Sequence, residues 1–112
     1  MALGAQLSVT DLRAAARHPV NYPVVAEHRT LGDMQMRIAN ISAHGFMIDD
    51  AVDLARGDRV IVRFPVIGRI EAYVIWTKDH RAGFQFERII RQDNYLAMIN
   101  ELQPNPRLRR AR

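Results

Sequence analysis

From Val20 onward, apolar and polar residues alternate with a period of two, which is the pattern of strands that bury one face. Val20, Tyr22, Val24 and Ala26 alternate with Asn21, Pro23, Val25 and Glu27 and predict a first strand. Pro23 has no N–H to give to a ladder, so this strand is expected near a sheet edge. Gly32-Asp33 turns the chain. Met34, Met36 and Ile38 then alternate with Gln35, Arg37 and Ala39 in a second strand that runs into Asn40. Phe46-Met47-Ile48 predicts a third strand, closed by Asp49-Asp50, and Val60, Val62 and Phe64 predict a fourth. Ile70, Ala72, Val74 and Trp76 give the clearest alternation of the chain, and after Lys78-Asp79-His80 the pair Phe84 and Phe86 gives a sixth strand. The period then becomes that of a helix: Tyr95, Met98, Ile99 and Leu102 lie on one stripe, with Asp93 as the expected N-cap. The fold class expected is mainly β, a small six-stranded antiparallel barrel with a C-terminal α-helix packed on it.

The first eighteen residues lie outside this pattern. They hold few large apolar side chains to anchor them and are expected to form a flexible N-terminal arm. Ser8-Val9-Thr10-Asp11 can cap a short helix over Leu12 to Arg17, which His18-Pro19 ends. In that helix Arg13 and Arg17 share a face. Residues 1–112 thus read as a single domain, with the arm over 1–18, the barrel and helix over 19–102, and a basic tail over 103–112.

Charge and composition remove several function classes. The net charge of +4 hints at nucleic acid until it is located. Four of the sixteen basic residues, Arg107, Arg109, Arg110 and Arg112, lie in the tail, which leaves twelve basic against twelve acidic side chains in residues 1–102. A nucleic-acid-binding barrel is therefore disfavoured. The absence of cysteine excludes disulfides, thiolate metal sites and cysteine nucleophiles. No apolar run is long enough to span a bilayer and no basic segment precedes an apolar one at the N-terminus, so a cytoplasmic location is expected. The four histidines are scattered without the spacing of a zinc site, and Asp49, Asp50 and Asp53 lack the periodicity of a calcium loop. Ser42, His44 and Asp49 do not make a nucleophile elbow, so no enzyme, metal or cofactor is expected.

The candidate chemistry lies in Asn40-Ile41-Ser42-Ala43-His44-Gly45. On one strand face Asn40 and Ser42 could bond the same object, and Gly45 would permit a positive φ or a close approach of backbone to a ligand. The same residues are also ordinary turn punctuation. Strict alternation would point Asn40 and Ser42 into the core, so a bulge or frame switch is expected near Ala39. Trp76, Phe84 and Phe86 could stack on bases but at strand spacing read as core.

An arginine pair four apart, then a β-rich segment, then Asn-x-Ser-x-x-Gly resembles the PilZ domain family, the bacterial receptors for the second messenger cyclic di-GMP. Leu54-Ala55-Arg56-Gly57-Asp58, Val74-Ile75-Trp76 and Ala82-Gly83-Phe84-Gln85-Phe86 also look like their counterparts there, so the resemblance covers most of the chain. It implies the same barrel and helix, and it implies ligand contacts from Arg13, Arg17, Asn40, Ser42 and Gly45. Leu12 stands where many members carry a basic residue ahead of the pair. The ligand explains the residue types, because guanine O6 and N7 form two acceptors that a planar guanidinium meets with parallel hydrogen bonds and a lysine does not. Binding would regulate a partner protein that the sequence does not identify. A protein-interaction module of the same fold that binds no nucleotide is the alternative.

Overall fold

The computed structural model describes residues 17–50 and 53–102. Arg13, most of the expected arm and the basic tail lie outside them. Among the described residues the chain forms β1 (His18–His28), β2 (Gly32–Ile41), β3 (Gly45–Ile48), β4 (Arg59–Phe64), β5 (Gly68–Lys78), β6 (Arg81–Phe86) and α1 (Gln92–Leu102). All neighbouring strands are antiparallel, and the order β1-β2-β3-β6-β5-β4 closes on itself through β4 and β1. Closure leaves every strand paired on both sides over at least part of its length, which is how a six-stranded sheet of this size avoids open edges.

The alternation read from the sequence is the wall of this barrel. Val24 and Ala26, Met36 and Ile38, Val60 and Val62, and Ile70, Ala72 and Val74 are all buried, while their neighbours in sequence are exposed or half-buried. The four phenylalanines meet inside: Phe46 stacks on Phe84 with ring centroids 4.6 Å apart, and Phe64 and Phe86 close around Phe46 at 6.0 and 5.6 Å. Each such ring removed from water contributes on the order of 2 kcal/mol, so this cluster is a principal source of stability. Helix α1 adds Tyr95, Met98, Ile99 and Leu102 to the same core.

Two local expectations need correction. β1 is not an edge strand, but it meets β4 only through Ala26, Glu27 and His28, and Pro23 lies in the stretch that pairs with β2 alone. The missing N–H therefore costs no ladder bond to β4. Asp93 is not the N-cap of α1. The helix begins at Gln92, Tyr95 N–H donates to the Arg91 carbonyl at 2.8 Å, and Asp93 sits in the first turn, where a carboxylate is favoured by the helix dipole.

The frame switch expected near Ala39 is present. Ile38 pairs with Ile48 but Asn40 pairs with Met47, so one extra residue of β2 is accommodated at Ala39. Inward positions move from Met36 and Ile38 to Ile41 across this bulge, and Asn40 is left half-buried on the outside.

Candidate functional site

The corner that joins β2 to β3 is held by hydrogen bonds within itself and to Tyr95, Phe86 and Ile90. Tyr95 Oη donates to the Ile41 carbonyl at 3.0 Å. Ser42 N–H donates to the Gly45 carbonyl at 2.8 Å, and Ser42 Oγ accepts the His44 N–H at 3.1 Å. The Ala43 carbonyl accepts Ile90 N–H at 3.0 Å and the His44 carbonyl accepts Phe86 N–H at 2.8 Å. Short polar side chains occur here because the turn consumes them: Ser42 supplies an acceptor for a backbone donor that the strand no longer satisfies.

Asn40 and Ser42 consequently do not share a face. Ser42 lies beyond the end of β2, is only 3% exposed, and has its hydroxyl committed to His44. The partner of Ser42 Oγ in this pair is the His44 backbone N–H, not the imidazole that a serine nucleophile would need. Gly45 has no positive φ among the described residues. Its close approach is to β6, where a Cβ would overlap the Phe84 carbonyl. The glycine is required by the β3–β6 contact whether or not a ligand also comes near.

Arg17 and Asn40 are brought together. Arg17 Nη1 donates to Asn40 Oδ1 at 2.8 Å, linking the root of the arm to the motif across 23 residues of sequence. Asn40 Nδ2 in turn reaches Met47 Sδ at 3.8 Å. Arg13 lies outside the described residues.

Five further residues join this region, and strand register reveals three of them. Asn40 pairs with Met47, Met47 with Gly83, and Gly83 with Trp76, so these residues lie abreast across β2, β3, β6 and β5. A Cβ on Gly83 would collide with the Trp76 indole, which places that ring directly against β6. A shift of register between Val74 and Trp76 turns the indole out of the barrel and leaves it 37% exposed, so Trp76 is not the core residue its spacing implied, whereas Phe84 and Phe86 are. The outcome is a shallow platform of Asn40, Met47 and Trp76 with a guanidinium at one end. The signal in the sequence was Ala82-Gly83, since a glycine mid-strand often marks a close approach.

His18 and Tyr95 form the other pair. His18 Nδ1 lies 2.7 Å from Tyr95 Oη, with the rings 5.6 Å apart. Burial pushes the Tyr95 phenol up to about 12, against the opposing pull of the nearby Arg17 charge. Tyr95 was read only as part of an apolar stripe, and nothing in the stripe distinguishes it from phenylalanine.

A cleft of about 660 Å³ lies elsewhere on the barrel, between the β1–β2 turn and the start of β4. It holds His28, whose Nδ1 accepts the N–H groups of Thr30 and Leu31 and whose Nε2 faces Asp58 at 3.5 Å. Its acidic and basic side chains are mixed, and it contains none of the residues the motif points to. No cluster of three or more metal-binding side chains occurs among the described residues, and no helix among them is long and apolar enough to cross a membrane.

Comparison with known families matches the model described as PilZ domain to residues 11–102. No match is found among curated proteins. Among solved structures, the chain is similar to the crystal structure of the PilZ domain of CeSA from a cellulose-synthesizing bacterium. The TM-score is 0.55 at 17% identity, over 78% of this chain and 94% of that one.

Proposed function

The chain belongs to the PilZ domain family, a family of cyclic di-GMP receptor domains, and on that premise we propose that it binds cyclic di-GMP and signals by ordering its N-terminal arm against the barrel. The observation that carries this reading is the hydrogen bond of 2.8 Å from Arg17 Nη1 to Asn40 Oδ1. It sets the second arginine of one motif beside the first residue of the other, which a two-motif ligand site requires.

In this reading Arg17 and Arg13 divide between guanine edge and phosphate, using the bidentate geometry of the guanidinium. Asn40 exchanges its internal partner for the ligand. A purine lies across the platform with the Trp76 indole as its stacking surface, an interaction worth about 1–3 kcal/mol per base. Ser42 and Gly45 belong to the site through shape, because one holds the turn and the other lets β3 close on β6. The domain is a cytoplasmic adaptor without catalytic chemistry, and the ordered arm with its nucleotide is the surface that a regulated partner protein reads.

Titration calorimetry with cyclic di-GMP, with GTP and cyclic di-AMP as controls, tests the proposal. Saturable binding of cyclic di-GMP with at least tenfold weaker binding of both controls is expected, about 1.4 kcal/mol of discrimination. Absence of binding to any of the three would leave the domain as an interaction module without a nucleotide, and equal binding of GTP would refute selectivity for cyclic di-GMP.

A further inference from the structure

We infer that His18 and Tyr95 are positioning residues of the nucleotide site, a relay through which helix α1 fixes the two backbone points that carry Arg17 and Asn40. The inference rests on the function proposed above but reaches residues outside both motifs.

The relay follows from proton counting. Tyr95 Oη has a single proton, and the Ile41 carbonyl 3.0 Å away can only accept it. The short contact of 2.7 Å to His18 Nδ1 must then run the other way, with the imidazole N–H donating into a phenol lone pair. The chain His18 Nδ1–H to Tyr95 Oη–H to Ile41 C=O joins the first residue of β1, the buried face of α1 and the last residue of β2.

The ends of that chain explain its purpose. His18 is bonded in sequence to Arg17, and Ile41 to Asn40. The relay is therefore a second clasp parallel to the Arg17–Asn40 hydrogen bond, one peptide unit away on each side. His18 also pairs with Ile41 in the β1–β2 register, and that register shifts immediately afterward, between Pro19 and Tyr22. Tyr95 fastens the strand pair where its own ladder is interrupted. A core position would be filled equally well by phenylalanine, since Tyr95 is fully buried and belongs to the apolar stripe of α1. The hydroxyl is the part that packing does not call for. A satisfied chain of this kind, buried at Tyr95 and half-buried at His18, holds its ends together, and a ligand that needs both Arg17 and Asn40 binds better when their separation is fixed beforehand.

The test compares Tyr95→Phe and His18→Phe with Ile99→Val. His18→Phe keeps an aromatic ring against Tyr95 and removes only the donor, and Ile99→Val trims the same helix with a similar loss of thermal stability. Two readouts are taken: hydrogen exchange in the free protein, and affinity for cyclic di-GMP. Tyr95→Phe and His18→Phe are each expected to speed exchange at residues 18–20 and 41–45 without change in β5, and to weaken cyclic di-GMP about tenfold, the worth of one buried hydrogen bond. Ile99→Val is expected to do neither. The inference is overturned if Tyr95→Phe leaves exchange and affinity as in the wild type, or if Ile99→Val reproduces its losses. If the wild-type protein binds no cyclic di-GMP, the function proposed above fails by itself, and the exchange pattern of the free protein still decides for or against the relay.

Discussion

At the scale of single residues, Arg17 acts through its geometry, Gly45 through its volume and Tyr95 through its proton. Arg17→Ala is expected to abolish detectable cyclic di-GMP binding, and Arg17→Lys to restore little of it, because a point charge cannot reproduce a two-pronged contact. Calorimetry of both variants checks this, and wild-type affinity in the lysine variant would show that charge alone suffices. Gly45→Ala is expected to cost about 2–3 kcal/mol in denaturant unfolding, since its methyl meets the Phe84 carbonyl, which β6 cannot withdraw without losing its pairing to β3. Tyr95 gives a pH dependence of defined sign. Its folded value of about 12 exceeds the ordinary 10, so the folded state holds the proton more tightly than the unfolded chain. The resulting stability is complete below pH 10 and is lost as pH rises from 10 through 12, by up to about 2–3 kcal/mol. Unfolding free energies across that range should fall in the wild type, and the part of the fall due to this group should be missing in Tyr95→Phe.

At the scale of elements, what the sequence revealed divides according to periodicity. Six strands and the C-terminal helix were legible because each buries one face and so writes its period into the chain. The bulge at Ala39 was legible for a related reason, since polar Asn40 and Ser42 stood where the alternation called for apolar residues. Three features were not legible, and each depends on a neighbour distant in sequence. Pro23 is tolerated because β4 turns away before reaching it, which is a property of the β1–β4 register. The structural roles of Gly45 and Ser42 were hidden because the tight β3–β6 approach and the Ser42–His44 turn cannot be read from one strand. Trp76 looked like core because a register shift two residues earlier, between β5 and β6, turns it outward. The platform it forms makes a prediction for β5 and β6 together. Trp76 is the sole tryptophan, so its emission should change on addition of cyclic di-GMP. Trp76→Ala should keep the fold and lose about tenfold or more in affinity, within the 1–3 kcal/mol of a base stack. Emission that ignores saturating ligand would remove β5 from the site.

At the scale of the whole molecule, the proposed site lies on the β2-β3-β6-β5 side of the closed barrel, with Arg17 bonded to Asn40 beside it. The excess positive charge belongs to residues beyond 102, while residues 1–102 are balanced. Deleting residues 103–112 is therefore expected to leave nucleotide affinity within a fewfold, because that segment holds none of the motif residues and charge acting through solvent is screened. A tenfold loss would mean that the tail contributes directly to the site. The central claim, that one ligand joins the arm to the Asn40 corner, is tested most directly by hydrogen exchange with and without saturating cyclic di-GMP. Protection is expected to rise together over residues 12–20 and 40–45 while residues 70–74 of β5 change little. Protection of the arm that is already complete without ligand, or that fails to appear when ligand is saturating, would contradict it.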